Sequence, residues 1–504
     1  MCAKSKCTVA FLSAFLFLAG CEMEGQINFQ NEAQSAQQLA VDWMKSQYSG
    51  RQSFEVSSTY QDVKQDGNSS YGFEFEGGGF VIVSTINDDL SIIAYGNDHP
   101  LASKDEDDTL ARKLIQNLAV VVDHEQKIYD KTDVLLPYSR QISNVVEPLI
   151  QSTWGQSGGY SPNFTYNKAT PLVTAKDRAP VGCVAVAFGQ VLNYYQFPKQ
   201  GIGYNRYCST GKPAYSCSDG TIVEADFRSG FDWANMTNKL TYSSSAAQVD
   251  AVSKLLLYVG ASVNARYTKD GAFAQIANPS VFNGFRRSFK MTEVTKVNKS
   301  DYSDSEWETL IKNEIIQQRP VVLFGEDSNI GAGHAYIVDG IDKNGYVHVN
   351  WGWNGSANGY YNLSSLVIDG RYNFTDDLSA YINFVPPVRT VEKTYKFTVQ
   401  PGQWLDVETV LGSGVFDFQT VDDIQIKMTY DGPWAGDADL YVKKGSKTSN
   451  PDDFDCAPKK GSSIESCYLK GKGGYYITIN GYNEHGQKSP SPISLKVTYK
   501  EYVE

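Results

Sequence analysis

Helical periodicity stops near residue 387. From about Arg389 to Glu504 the chain reads as short alternating runs, Lys396-Phe397-Thr398-Val399, Ile424-Gln425-Ile426-Lys427-Met428, Tyr475–Ile479 and Ser494–Tyr499, separated by turn residues. Alternation of period two sets one face of each strand on a core and the other in water, so a small antiparallel β-sandwich is expected here. Upstream, helix-spaced apolar residues mix with strand-like runs. At 504 residues the chain is long enough for about three cores. Pro386-Pro387, with the charged Glu392-Lys393 nearby, reads as a linker.

The opening residues form a leader. Lys4 and Lys6 precede an apolar run from Val9 to Ala19, too short for a spanning helix, which needs about 20 residues. The run ends in Leu18-Ala19-Gly20-Cys21, which resembles the lipobox of bacterial lipoproteins. That resemblance implies that Cys21 is lipidated and becomes the mature N-terminus, its acyl chains holding the protein at a membrane. An ordinary secretory signal cleaved nearby is the alternative, and both readings take the chain out of the cytoplasm, either to the cell envelope, with the outer membrane favoured, or into the medium. No later stretch of 18 or more apolar residues follows. A formal net charge of −12 without a strong Lys/Arg run argues against nucleic acid and anionic membrane surfaces as partners.

From about Gln26 to Arg140, Ala36, Leu39, Ala40, Trp43 and Met44 recur on one face of an expected helix. Strands are expected at Phe80–Ser84 and Ser91–Tyr95, parted by Asn87-Asp88-Asp89 and preceded by the turn glycines Gly77–Gly79. This region holds no catalytic cluster.

The chemistry lies between about Gln141 and Pro387, and the cysteines point to it. Of eight, Cys2, Cys7 and Cys21 fall in the leader, and Cys208 with Cys217 and Cys456 with Cys467 are spaced to close small disulfide loops. Cys183 is left over. It opens an amphipathic helix in which Val184, Ala187, Phe188, Val191, Leu192 and Tyr195 share a face, with Pro180 and Gly182 in the turn before it and Pro198 after it. At a helix N-terminus, free N–H groups and aligned peptide dipoles favour a thiolate. The competing reading is a buried, inert cysteine. Of five histidines, His334 and His348 lie in this region. His334 follows Gly331-Ala332-Gly333 and opens the run Ala335-Tyr336-Ile337-Val338, which leaves its ring free to face a cleft; His348 sits mid-strand and reads as a packed residue. His334 is the favoured base.

Gly182-Cys183-Val184-Ala185, Gly333-His334-Ala335-Tyr336-Ile337-Val338-Asp339-Gly340 and His348-Val349-Asn350-Trp351-Gly352-Trp353 together resemble the streptopain family of secreted cysteine peptidases, which have a papain-like fold. The resemblance covers most of residues 141 to 385. It implies that Cys183 is the nucleophile, His334 the general base and acid, Asn350 the residue orienting the imidazole and Trp351 a cover over that contact. Gln156, in Trp154-Gly155-Gln156, matches the family's oxyanion-hole glutamine. One local feature strains this assignment. A two-residue Asn344-Gly345 turn pairs Asn350 with Asp339, five positions and about 17 Å from His334 at roughly 3.4 Å per residue. The triad therefore requires a wider loop, centred nearer Asp342.

The resemblance extends to both flanks. Gly79–Ser84 and Ile92–Tyr95 resemble the family's propeptide, which covers the cleft; removal is expected between about residues 131 and 145, Arg140-Gln141 being one candidate bond. Gly436-Asp437-Ala438-Asp439-Leu440-Tyr441 and the paired Cys456 and Cys467 resemble the bacterial prepeptidase C-terminal domain. Asp437 and Asp439 could bind calcium, but two carboxylates with no further identifiable ligands do not define a site, so no metal or cofactor is assigned. The Cys208–Cys217 loop and the lack of a long glycine-rich run between Asp369 and Tyr381 depart from the family pattern where cleft walls are shaped. A bulky apolar side chain two positions before the cut is the family's preference.

The expected architecture is therefore α+β, with a signal peptide at 1–21, an inhibitory propeptide at 22–140, a papain-like two-lobed peptidase domain at 141–387 and a small antiparallel β-sandwich at 388–504. The expected activity is that of a cysteine endopeptidase made as a zymogen, acting as a monomer on proteins or peptides, with its own propeptide as inhibitor. Two other readings compete: a catalytically silent peptide- or surface-binding protein on the same scaffold, and a cysteine amidase acting on cell wall.

Overall fold

The computed structural model describes residues 32–101 and 145–503, apart from 49, 52, 64–68, 87–88, 158–164, 328–331, 364–375, 413–415, 419–423, 433–436, 448–451, 459–462, 470–472 and 482–488. Cys21, the leader and the candidate bond Arg140-Gln141 lie outside the described residues.

The chain opens with helix α1 (32–47). Its stripe of Ala36, Ala40, Trp43 and Met44 is buried against Tyr71, Phe73, Val81, Val83 and Tyr95, as the helical spacing requires. Those residues come from an antiparallel meander, β1 (Val56–Val63), β2 (Ser69–Phe75), β3 (Phe80–Ile86) and β4 (Asp89–Gly96). The sequence had shown only β3 and β4. Polar residues at alternate positions of VSSTYQDV and SSYGFEF, and the small Ser69, Ser70 and Gly72, weaken the apolar signal of β1 and β2.

The central region begins its regular structure with α2 (Cys183–Tyr195). There follow a hairpin of β5 (Tyr204–Cys208) and β6 (Ile222–Asp226), helix α3 (Ala246–Ser262), a short hairpin of β7 (Arg266–Thr268) and β8 (Gly271–Phe273), and helix α4 (Pro279–Ser288). Then come β9 (Thr295–Asn298), helix α5 (Asp304–Ile316), β10 (Val321–Asp327), β11 (Ala332–Ile341), β12 (Val347–Asn350), β13 (Gly359–Tyr361) and β14 (Asp376–Ile382). Capping boxes start α3 (Ser245 with Gln248) and α5 (Ser303 with Glu306). Among the described residues the sheet has ten strands in the order β1-β2-β3-β4-β13-β12-β11-β10-β14-β9. The meander of the first region thus continues the central sheet without a break. Two cores divide the central region. One gathers Phe188, Val191, Leu192, Leu256 and Phe285 among the helices; the other gathers Trp307, Ile311, Val321, Val338 and Trp351 on the sheet.

The last region forms two antiparallel sheets from β15 (Val388–Val399), β16 (Trp404–Asp406), a short helix α6 (Val407–Leu411), β17 (Phe416–Phe418), β18 (Ile424–Tyr430), β19 (Ala438–Lys444), β20 (Glu465–Leu469), β21 (Gly473–Gly481) and β22 (Ser491–Tyr502). Their inward faces share one core that includes Ile426, Leu440, Ile477 and Val497. Glu392-Lys393 proves to be strand, not linker: Glu392 faces Thr498 in the β15–β22 ladder and pairs with Lys496 at 2.8 Å. Charges fit there because the first half of β15 is largely exposed. Tyr502, at the end of β22, packs on Phe197 beyond the C-terminal end of α2, ring centroids 5.4 Å apart.

Candidate active site

The turn into α2 is built by Gly182. Its φ of 88° is open to glycine, and a Cβ there would lie 2.8 Å from the Ala272 carbonyl oxygen. The helix begins at the next residue with no side-chain cap. Cys183 is half-buried and is the free cysteine among the described residues; Cys208–Cys217 and Cys456–Cys467 are bridged, as their spacing suggests. The backbone N–H groups of Cys183 itself, Val184 and Ala335 lie near the sulfur and favour its charged form. Two of these donors belong to the helix N-terminus. The third is the residue after His334, on a strand remote in sequence, so the fold brings Cys183 to the strand that carries the favoured base.

His334 is 4% exposed. One face of its ring stacks near Trp353, centroids 4.9 Å apart, and its Nε2 lies 3.1 Å from the Trp351 carbonyl oxygen. Burial pulls the imidazole down to about 4, against the pull of that carbonyl, which favours a protonated ring. Burial also pushes the Cys183 thiol up, against the three N–H donors. At neutral pH both groups are therefore uncharged in this closed form. The linkage follows in sign: a histidine held below its unfolded value contributes stability fully above pH 6.5, and loses it as pH falls from 6.5 towards about 4. The loss amounts to roughly 3 kcal/mol. Urea unfolding of an inactive Cys183→Ala chain across this range is expected to show it. His334→Gln should flatten the slope in part, since His99, also held down by burial, contributes in the same direction.

The Asn350 side chain goes elsewhere than expected. Its Nδ2 donates to the Ser152 carbonyl at 2.8 Å and to Gln190 Oε1 at 3.4 Å, while Oδ1 accepts from the Gly352 N–H at 3.1 Å. His334 is not among its hydrogen-bond partners; the Trp351 carbonyl meets the imidazole instead. Register explains why. The loop is wider than a two-residue turn, with the Asp342 N–H donating to the Tyr346 carbonyl at 2.9 Å, but it is centred on Asn344 rather than near Asp342. A bulge between Val338 and Gly340 adds a further shift, and Asn350 ends opposite Ile337, still short of His334. Trp351 is fully buried but lies 6.3 Å from the His334 ring, so the nearer cover is Trp353.

Gln156 is half-buried, and its side chain makes no hydrogen bond among the described residues; its carbonyl accepts from the Val181 N–H at 2.8 Å, which ties it to the turn before Cys183. Sequence reasoning missed Trp353, Gln190 and the Asp339–His348 pair. His348 Nδ1 lies 2.6 Å from Oδ1 of Asp339, whose Oδ2 accepts from the Ile150 N–H at 2.7 Å. Trp353 had a visible signal in Trp351-Gly352-Trp353. Gln190 falls on the same helical face as Cys183 and Ala187.

Comparison with known proteins decides the family. The Peptidase C10 family model matches residues 154–361, and the Spi protease inhibitor model matches residues 30–120. Active interpain A from Prevotella intermedia is 32% identical, and this chain covers 97% of it with 49% of its own length, at a TM-score of 0.42. The chain belongs to the peptidase C10 family. A prointerpain A fragment from the same organism, which retains the prodomain, aligns at a TM-score of 0.52 and 27% identity, over 64% of this chain and 98% of that one. Streptopain from Streptococcus pyogenes is 26% identical over 327 residues, 61% of this chain and 79% of that protein. The molecule is thus a cysteine peptidase with a papain-like fold that carries its own inhibitor domain.

That inhibitor domain is joined to the C10 peptidase through main chain and aromatic rings. Strand β4 pairs with β13, Tyr95 opposite Tyr360 and Ala94 opposite Tyr361. Trp43 meets Tyr346 edge-on at 6.0 Å, and Tyr95 stacks on Tyr360 at 5.4 Å. The Tyr95 hydroxyl donates to Asp342 Oδ2, and the Tyr346 hydroxyl to the Ile92 carbonyl at 3.0 Å. The Ala357 N–H donates to the Pro100 carbonyl at 2.9 Å, close beside the Trp351–Trp353 turn of the site.

Proposed function

We propose that this C10 peptidase is an exported endopeptidase made as a zymogen, in which Cys183 is the nucleophile, His334 the general base and acid, and Gln156 a donor to the oxyanion. The observation that carries this reading is the Cys183 thiol on a helix N-terminus within reach of the Ala335 N–H, next to His334. Removal of the first region, at a bond near residues 131–145, admits water to the site. Desolvation then relaxes, and the thiol passes its proton to the imidazole. The thiolate attacks the scissile carbonyl carbon; the carbonyl electron pair moves to oxygen, where the Gln156 side-chain amide and the Cys183 N–H donate to it. As the C–N bond breaks, His334 delivers its proton to the leaving amine, and a thioester remains. Water, deprotonated by His334, then releases the acid and restores the thiol. The Trp351 carbonyl holds the imidazole in line throughout. Asn350 takes no direct part in orienting it.

Two further parts of the reading concern the ends of the chain. Cys21 anchors the protein to the envelope through acyl chains, and residues 388–504 are a domain distinct from the peptidase at 141–387. N-terminal and intact-mass analysis of the exported protein checks lipidation, propeptide removal and retention of the last region together.

Incubation with casein and with peptidoglycan, with and without a thiol alkylator, tests the activity. Alkylator-sensitive loss of casein is expected; release of wall fragments alone would point to an amidase. Gln156→Ala is expected to lower kcat about 10²–10³-fold, equivalent to about 2.7–4 kcal/mol, with melting temperature unchanged. An unchanged kcat would remove Gln156 from the mechanism.

A further inference from the structure

Two carboxamides are buried side by side beneath the site, Gln190 at 0% and Asn350 at 1% exposure. They face each other head to head: Gln190 Nε2 donates to Asn350 Oδ1 at 3.4 Å, and Asn350 Nδ2 donates to Gln190 Oε1 at 3.4 Å. Their remaining bonds reach outward. Gln190 Oε1 accepts from the Trp154 backbone N–H at 2.9 Å, and Asn350 Nδ2 donates to the Ser152 carbonyl at 2.8 Å. The pair therefore grips the 152–154 segment, which runs on to Gln156, from two sides. Gln190 stands on α2, two turns beyond Cys183, and Asn350 stands one residue before Trp351, whose carbonyl meets His334. Nucleophile helix, imidazole-holding turn and oxyanion segment all meet at this amide pair.

We infer that Gln190 is a positioning residue of the peptidase reaction, setting the distance between the α2 N-terminus and the Gln156 side chain through its bond to the Trp154 N–H. The inference rests on the proposed role of Gln156. Two polar side chains are costly to bury and are retained where their bonds fix a geometry that apolar packing would leave loose. Of the other holds on this segment, Asn350 stands at the end of β12, whereas the Thr153 N–H to the Asn238 carbonyl at 2.8 Å and the Asn354 N–H to the Trp154 carbonyl at 3.2 Å come from loops. The Gln190 bond comes from the rigid helix that carries the nucleophile. Small displacements of a donor from the developing charge are enough to lose rate, so the effect should fall on kcat.

The test uses the processed enzyme with a peptide substrate and the variants Gln190→Met and Gln190→Asn. The first is apolar and of similar length. The second is one methylene shorter; it keeps the carboxamide but withdraws it from Trp154, and serves if the first fails to fold. Either is expected to lower kcat roughly tenfold to a hundredfold with KM changed less than about twofold. The rate of Cys183 alkylation by iodoacetamide, and its pH profile, should stay at the parent value, because that reaction needs the thiolate but no oxyanion donor. In a Gln156→Ala background the Gln190 substitution should cause no further fall. Fully multiplicative effects in the double variant, a loss of alkylation rate matching the loss of kcat, or an unchanged kcat would each overturn the inference. Gln156→Ala measured alone separates the two possible failures. If it leaves kcat unchanged, the oxyanion reading falls; if it is slow while the Gln190 variants are not, only the role of Gln190 falls.

Discussion

Cys183→Ala is expected to abolish peptide hydrolysis, lowering kcat by on the order of 10⁴–10⁶, while the chain folds and keeps its inhibitor domain docked. The size follows from the mechanism: without the sulfur no covalent intermediate forms, and what remains is the binding and polarising capacity of the cleft. The fold should hardly notice. Cys183 is half-buried at the edge of the helical core, and the helix start depends on the φ of Gly182 rather than on the thiol. Melting within about 3 °C of the parent, together with casein hydrolysis at background, would meet the expectation. Residual turnover that an alkylator still blocks would show that another thiol is at work. The same variant bears on maturation. Full-length accumulation of purified Cys183→Ala chain is expected if the enzyme cuts itself, whereas maturation of that variant when purified alone would rule self-cleavage out.

Asp339→Ala is expected to destabilise the chain by about 3–5 kcal/mol. Asp339 is fully buried in the bulge of β11 and serves two partners, His348 Nδ1 at 2.6 Å and the Ile150 N–H at 2.7 Å. Its own carbonyl accepts the Leu149 N–H at 3.1 Å, so the 146–150 segment lies along β11. Removing the carboxylate leaves the buried Ile150 N–H without its acceptor and takes from the part-buried His348 its contact at 2.6 Å. Asp339→Asn, which keeps oxygen and shape, should recover a good part of the loss. Urea unfolding of the inactive full chain reads both variants. A midpoint unmoved by Asp339→Ala would mean that the pair is incidental. Because the same segment leads to Ser152 and Gln156, surviving Asp339→Ala enzyme should also turn over more slowly.

The parts of the site that were legible in the sequence were those written in consecutive residues. Gly182-Cys183 at the head of an apolar helix, and His334 at the start of an apolar strand, each state their local conformation, and the fold brings the two elements together. What failed was a register argument. The sequence shows Asn344-Gly345 but not the bulge at Asp339, and a bulge depends on a buried carboxylate meeting both a histidine on the next strand and an N–H from a distant segment. That is a tertiary arrangement, and no periodicity announces it. Gln190 was hidden for a related reason: on a helix read by its apolar positions, a glutamine counts as a solvent residue until its face is compared with that of Cys183. In the last region, strand alternation was enough to find a sandwich, yet Glu392-Lys393 looked like linker because an outward-facing half of β15 carries the same charges that a linker would.

The unbroken sheet between inhibitor and enzyme has a cost that falls due at maturation. When the first region departs in the matured form proposed here, Gly359–Tyr361 becomes a raw margin, its main-chain groups without their former partners and the Tyr360 ring stripped of Tyr95. A margin only 3 residues long is a poor template for pairing with another chain, so maturation uncovers little that a second molecule could add to.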